Sequence, residues 1–379
     1  MKVRIIKGTN QIGGCITEII STKGRIIIDL GMKVSDVLRK VKPSNPNIEG
    51  LTTGTALYDG LLITHIHDDH IGLIKYVLDE IPIYIEKDSK RVYEIIKNKK
   101  INHKIVTFEF DKPFKIKDLI ITPYQNDHSC YNSAMFLIKN NKKSILHVGD
   151  CRNHGYLSNL FISNLKKCKN VDLLIADGTS LGKAKDYMSE EMLSNRLKKE
   201  IYPNYNQILS FISLTNSDRI LSFYYAKGNK KFYLNKEHEN IYKGSKIKEL
   251  DINKNNQIHT YNDKIESNFI LTVRVNMLDE IKRLKQEGKL DNACLVYSMA
   301  KKYLLVRKEI RDFILEIKRL GIKVIFLQTS GHADNKTLSY IEKVLKPKKC
   351  VIIHTKHNKQ GKRLLNSYIY IKDNEVLEV

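Results

Sequence analysis

No apolar stretch in the 379 residues approaches the ~18–20 that a membrane span requires, which excludes a helical membrane protein. The six cysteines, Cys15, Cys130, Cys151, Cys168, Cys294 and Cys350, show no CxxC spacing. A zinc ribbon and a disulfide frame are therefore not expected; reduced, packed thiols in a cytoplasmic protein are. Proline is scarce at 7 and glycine modest at 19, while 42% of residues are hydrophobic and 28% charged. That mix excludes collagen, coiled-coil arrays and disorder. The N-terminal MKVRIIKGTNQIGG breaks its apolar run with Lys7, Asn10 and Gln11, which is not a secretory leader pattern. Neither internal repeats nor a low-complexity linker is present.

Acidic residues are the other shortage. There are 42 Asp+Glu against 65 Lys+Arg, a formal net charge of +23. Such a surplus favours polyanionic partners, nucleic acid first. It is not focused, because residues 186–325 hold 26 basic and 18 acidic side chains, close to the net density of the rest. Much of it therefore coats a solvated surface.

What recurs is a short β-branched run that ends in an ionisable residue. Arg25–Ile28 ends at Asp29, Leu61–Ile63 leads to His65, and Ser144–Val148 ends at Gly149 and Asp150. Val171–Ala176 ends at Asp177 and Cys350–Ile353 at His354. Such runs read as buried strands, and in α/β architectures ligand sites gather beyond the carboxyl ends of strands. Five strands presenting Asp or His there predict one shared rim. The spacing of Ile71, Ile74, Val77, Leu78 and Ile81 predicts an amphipathic helix stopped by Pro82. Asn335–Leu345 predicts another, with Asp334 as N-cap. Residues 186–325 differ, with long helical stretches (Ser189–Lys199, Met277–Gln286, Lys301–Leu320) around strands such as Lys231–Leu234. They read as a domain inserted between 1–185 and a return at 326–379. The Gly13–Gly14 pair reads as a tight turn near the rim.

The strongest local signal is Thr64-His65-Ile66-His67-Asp68-Asp69-His70, with four ligand-type side chains between a strand and a helix. Alternation on an extended segment points His65 and His67 the same way, while Asp69 and His70 turn toward a neighbouring position. That suits two adjacent metal ions better than one. Asp68 reads as solvated surface. Imidazole and carboxylate ligands suit zinc, with manganese or iron also allowed.

HxHxDH after a strand resembles the signature of the metallo-β-lactamase fold, a four-layer αβ/βα sandwich with a dinuclear zinc site. By that resemblance, Asp29 in IIIDLG is the aspartate that buttresses the ligand loop. His128 in NDHSCYNSA is the third-motif ligand, and Asp150 in HVGDCR bridges both metals. His65, His67 and His128 then hold one zinc, and Asp69 and His70 the other. LLIADGTSLG, QTSGHAD and VIIHTKH resemble motifs A, B and C of the β-CASP nucleases, carried by Asp177, His332 and His354. On this resemblance the inserted region is the α/β β-CASP domain, and the TSGHA and IHT wording is similar to the ribonuclease J type. The chain is expected to be a minimal core, lacking that type's C-terminal domain.

The resemblance implies a zinc-dependent phosphodiesterase, two Zn2+ or Mn2+ ions, and single-stranded RNA cut in endo- and/or 5′-exonuclease mode. His332, Asp177 and Asp69 are the candidate catalytic residues. His332 is the general acid oriented by Asp177, and His354 the last ligand of the second metal. Histidine at motif C favours RNA over DNA. Ser330, Gly331, Lys227, Lys230 and Lys231 are candidate phosphate contacts. A homodimer is compatible with the resemblance. The alternatives are a DNA nuclease of the same fold, a small-molecule ester, lactone or β-lactam hydrolase, and a non-catalytic partner subunit.

Overall fold

A computed structural model describes residues 1–183, 186–261 and 265–379. They form two compact units, Met1–Tyr187 with Gly331–Val379, and Met188–Ser330. The second unit keeps the strand Lys323–Phe326, so the chain returns to the first at Gly331 rather than at 326. No helix among the described residues is long and apolar enough to cross a membrane.

The first unit has two sheets. One runs Val376–Glu378, Lys2–Lys7, Ile16–Ile20, Arg25–Ile28, Gly60–Leu62, Ile83–Glu86, Ile105–Phe108. The other runs Lys349–Ile353, Leu173–Asp177, Ser144–His147, Ala134–Lys139, Leu119–Gln125, Phe114–Ile116. Their inner faces meet in one aliphatic core, where Ile5, Ile26 and Ile28 pack with Phe136, Ile145, Ile175 and Val351. The outer face of the second sheet buries Leu146, Leu174 and Ile352 against Phe161 and Leu165 of helix Ser158–Lys167 and Leu338 and Ile341 of helix Asn335–Leu345. Because both faces of these strands are covered, their sequences read as continuous apolar runs. With helix Lys87–Lys97 beside the first sheet, the unit is the expected four-layer αβ/βα sandwich.

The helix expected over 71–81 does not form. Asp68–Ile71 makes one turn and Ile74–Tyr76 a 3-10 turn. The N–H of Leu73 donates to the carbonyl of Leu30, and that of Leu78 to the carbonyl of Leu51. Ile71, Ile74, Val77 and Ile81 are buried as their spacing implied. Short local turns, with Ile71 N–H donating to His67, Val77 to Ile74 and Ile81 to Leu78, and those two loop carbonyls replace a helix ladder.

The second unit is a fully parallel sheet in the order Ile258–Thr260, Lys231–Leu234, Phe269–Thr272, Gln207–Phe211, Ala293–Tyr297, Lys323–Phe326. The expected helix 301–320 is broken at Arg307, whose backbone is extended, into Lys302–Val306 and Lys308–Arg319. Glu190–Arg196 starts on the Ser189 cap and passes into a π turn. The guanidinium of Arg219, 1% exposed, donates to both oxygens of Glu190 (2.8 and 2.9 Å), to the carbonyl and hydroxyl of Ser298, and to the carbonyl of Thr329. Arg219→Ala removes the cation that neutralises the buried Glu190 carboxylate and is expected to lower the second unit's stability by ~3–5 kcal/mol. Urea unfolding monitored by tyrosine fluorescence checks this, and a loss below ~1 kcal/mol contradicts it.

Candidate metal centre

Three strand ends bring the site together by the same backbone device. Asp29 (φ 61), Gly149 (φ 62) and His354 (φ 60) are left-handed just beyond Arg25–Ile28, Ser144–His147 and Lys349–Ile353. That conformation costs a non-glycine residue about 1 kcal/mol, and here each turns the chain onto the rim.

The carboxylate of Asp29 is fully used. One oxygen accepts the N–H of Thr64 at 2.8 Å; the other accepts the Thr64 hydroxyl at 2.7 Å and Nδ1–H of His70 at 2.8 Å. With its proton committed to Asp29, the Thr64 hydroxyl accepts from Nδ1 of His65 at 3.0 Å. A second relay repeats this pattern. Asp177 accepts Nδ1–H of His332 at 2.8 Å and the Thr179 hydroxyl at 2.6 Å, and that hydroxyl lies 2.5 Å from Nδ1 of His354. Nδ1 of His128 donates to the carbonyl of Gly331 at 2.7 Å. Each of these bonds places a proton on Nδ1 and aims Nε2 of His65, His70, His128 and His354 inward, the atom a metal would take in place of a proton.

Those nitrogens converge. Nδ1 of His67 lies 3.1 Å from Nε2 of His65 and 3.3 Å from Nε2 of His128. Nε2 of His70 is buried, lacks a hydrogen-bond partner among the described residues, and sits 3.2 Å from Oδ2 of Asp150. Nε2 of His354 is 3.2 Å from Asp69. Three groups could hold a metal ion: His65, His67, His128; Asp69, His70, Asp150, His354; and Asp150, Asp177, His332, His354. Asp150 of the second and third groups also lies 3.9 Å from His65 of the first. The orphaned Nε2 and the all-imidazole and carboxylate donor set fit a divalent cation.

Electrostatics divide the groups. Burial, then neighbouring imidazoles, holds His65 well below its ordinary value, and burial does the same for His128 against the pull of Asp150. Both therefore stay neutral. Burial opposes charge on Asp150, yet His354, His70 and His332 outweigh it and hold the carboxyl well below the usual range. Burial likewise opposes protonation of His354, but Asp150 and Asp69 push it up to about 9. Protons on histidine thus balance carboxylates that a metal would neutralise instead.

Several supporting residues carried no sequence signal. Gly31 lets the ligand turn close, since a Cβ there would lie 1.7 Å from the carbonyl oxygen of Asp69. Asn126 donates to the carbonyls of Val148 and Asp150, and buried Arg152 pairs with Asp127 at 3.0 Å, tying the His128 loop to the Asp150 loop. Only their adjacency to His128 and Asp150 could have marked them. Thr179, two residues after Asp177, had a turn-forming signal but not its partner. Asp334 caps its helix, as expected, by accepting from Thr337 N–H. Asp68 pairs with Lys97 near the surface, and Gly14 donates to the carbonyl of Asp69.

The expected phosphate contacts fare differently. Lys230 is a correction: it is buried, and its ammonium donates to the carbonyls of Tyr205 and Asn206 and to Oδ1 of Asn268, so it serves the second unit's interior. Lys231 lies 3.9 Å from Glu266, and Lys227 lies over the Tyr224 ring. Gly331 offers its carbonyl to His128, and Ser330 ends the second unit.

The sandwich with its His/Asp rim has the metallo-β-lactamase architecture, and the family described as Beta-lactamase superfamily domain matches residues 25–207. Within that fold the chain is similar to proteins named ribonuclease J. It is 25% identical over 230 residues to ribonuclease J of Mycoplasma genitalium, covering 58% of this chain and 40% of that one. Against ribonuclease J of Helicobacter pylori strain 26695 it is 28% identical over 208 residues, covering 51% and 30%. An RNase J-like protein of Methanocaldococcus jannaschii is 21% identical, covering 92% and 90%. The chain thus spans less than half of the first two relatives. A crystal structure of an Enterococcus faecalis V583 protein of unknown function shares the fold, with TM-score 0.77, 18% identity and 99% coverage of both chains.

If Thr179 orients His354, Thr179→Val is expected to weaken metal binding by about 10–100-fold, and Thr179→Ser to restore it. Chelator competition reads both; equal affinities for Val and Ser would count against the relay.

Proposed function

We propose that this chain is a divalent-metal-dependent phosphodiesterase that cleaves single-stranded RNA, with zinc as the native ion. His65, His67 and His128 would hold one ion, Asp69, His70 and His354 a second, and Asp150 both. Bound there, the metals supply charge neutralisation at phosphorus and acidification of a water. The observation that carries the reading is the His332–Asp177 pair beside the ligand cluster, 2.8 Å between partners and 3.7 Å from Asp150. A departing ribose oxygen needs a proton, and His332, held by Asp177, places an imidazole beside the ligands to supply it.

His332 is suited to give that proton. Burial opposes its charged form, but Asp177 and then Asp150 outweigh burial and raise its pKa above the ordinary histidine value, which favours the proton-carrying form. Its side chain is 24% exposed, against 1–3% for Asp150, Asp177 and His354, so a substrate can reach it. Asp69 acts from among the ligands. The net charge of +23 and the similarity to proteins named ribonuclease J support a nucleic-acid substrate. The resemblance of the His354 motif to RNA-acting members favours RNA over DNA.

The test is one assay with zinc or manganese on matched RNA and DNA strands, on RNAs with 5′-monophosphate, 5′-triphosphate and closed circular ends, and on a chromogenic lactam. Cleavage of RNA alone is expected, abolished by chelator and by His65→Ala with His67→Ala. Mononucleotides from the monophosphorylated RNA mean 5′-exonuclease action, and cutting of the circle means endonuclease action. Turnover of the lactam with no RNA cleavage overturns the reading. His332→Ala is expected to lower kcat by ~10²–10⁴-fold. Asp177→Asn removes the charge that raises the His332 pKa, so the proton is lost earlier and the alkaline limb of the kcat profile moves to lower pH. A limb that stays in place would assign the proton donor elsewhere.

A further inference from the structure

The first unit carries a groove of about 150 Å³ on the outer side of the ligand turn, which the metal site does not use. Gly14, Gly31 and Met32 are among the residues that line it, and their backbone lies against the ligand turn. That backbone is bonded to the ligand turn itself. Gly14 N–H donates to Asp69 O, Met32 N–H to Asp68 O, and the carbonyl of His70 accepts from Leu30. The groove is therefore one peptide layer away from Asp69 and His70.

Three lysines line it, Lys7, Lys33 and Lys42. They come from three separate segments: the end of strand Lys2–Lys7, the residue before helix Val34–Arg39, and the loop beyond it. Among the described residues none of the three makes an ion pair, whereas Lys90, Lys97, Lys167 and Lys348 of the same unit all do. One carboxylate, Asp36, shares the groove, leaving a local surplus of positive charge. The loop is held in place rather than loose. The Tyr76 hydroxyl donates to Pro43 O, and Asn45 donates to Thr52 O. Val41, 46% exposed, adds an apolar surface at the groove's edge. Cations beside a small apolar surface suit a phosphate joined to a sugar or base better than a free anion. The volume is too small to enclose a whole nucleotide, so the ligand is a stretch of backbone passing through.

We propose that this lysine groove binds the sugar-phosphate backbone of the substrate strand beside the ligand turn, a few nucleotides from the scissile bond. This rests on the nuclease reading and moves the main phosphate contacts from the inserted unit, where Lys230 is internal, to the first unit. Lys33 and Lys42 are exposed and Lys7 is partly so, so all three can meet a strand without rearrangement.

The probe is a fluorescent single-stranded RNA oligonucleotide whose binding to the full chain is followed by anisotropy in chelator across a salt series, so that no cleavage occurs. Lys7→Gln, Lys33→Gln and Lys42→Gln together are expected to reduce the magnitude of the salt slope by about 2, at roughly 0.7 per lost single-strand contact. A control with the same loss of charge, Lys23→Gln, Lys99→Gln and Lys343→Gln, should keep the wild-type slope. Thermal melts confirm that both variants are folded. With metal restored, the groove variant should show a raised KM for RNA. If wild type cleaves RNA but the groove variant keeps the wild-type slope, or the control loses as much, the groove is overturned and the nuclease reading stands. If wild type neither binds nor cleaves RNA, both fall.

Discussion

The site depends on one repeated interaction, a buried aspartate that orients one histidine directly and a second through a threonine hydroxyl. Asp29 does this for His70 and, through Thr64, for His65; Asp177 does it for His332 and, through Thr179, for His354. A carboxylate can only accept, so each bond places the proton on Nδ1 and aims Nε2 inward for the three ligand histidines. In His332 the same bond raises basicity instead. One chemical device thus produces ligands on one side of the rim and a proton carrier on the other. Both aspartates are 1% exposed, and their hydrogen-bond partners offset the cost of keeping carboxylates out of water.

Those relays place the histidines around Asp69 and Asp150, which are also buried. Neither forms an ion pair with lysine or arginine among the described residues, although the chain has 65 such side chains. Histidine protons are the charge balance available inside the cluster, and the donor set is one that a divalent ion completes. Cations lie outside instead, unpaired, in the groove behind the ligand turn. Positive charge is thus kept from the chemistry and remains available to a polyanion.

The two sheets impose the rest of the geometry. Parallel neighbours such as Leu173–Asp177 and Lys349–Ile353 bring Asp177 level with Ile353, so His354 follows beside it. The left-handed residues at the strand ends then turn ligands onto a common rim. The second unit, with its own parallel sheet and its Arg219–Glu190 pair, supplies its own core and does not draw on this cluster.

Much of this was legible in the sequence because it is written in short-range chemistry. Apolar runs ending at Asp29, Asp150, Asp177 and His354 mark strands and their functional ends, and HxHxDH marks a metal-binding turn by residue type and spacing. Asp334 could be read as a cap for the same local reason. Other features were decided only in three dimensions, because they depend on partners far along the chain. His354 meets Asp69 across 285 residues. The segment 71–81 has helical spacing, but the carbonyls of Leu30 and Leu51 take the N–H groups of Leu73 and Leu78 and the helix gives way to turns. Lys230 looks like any surface lysine until the carbonyls of Tyr205 and Asn206 surround it. Lys7, Lys33 and Lys42 become one groove only when strand, helix and loop fold together. The sequence by itself determined which chemical groups the site would contain, since residue identity and local period are fixed along the chain. The tertiary structure decided which of them share a proton, a cation or a groove, since those interactions act over a few ångströms and depend on how distant segments pack.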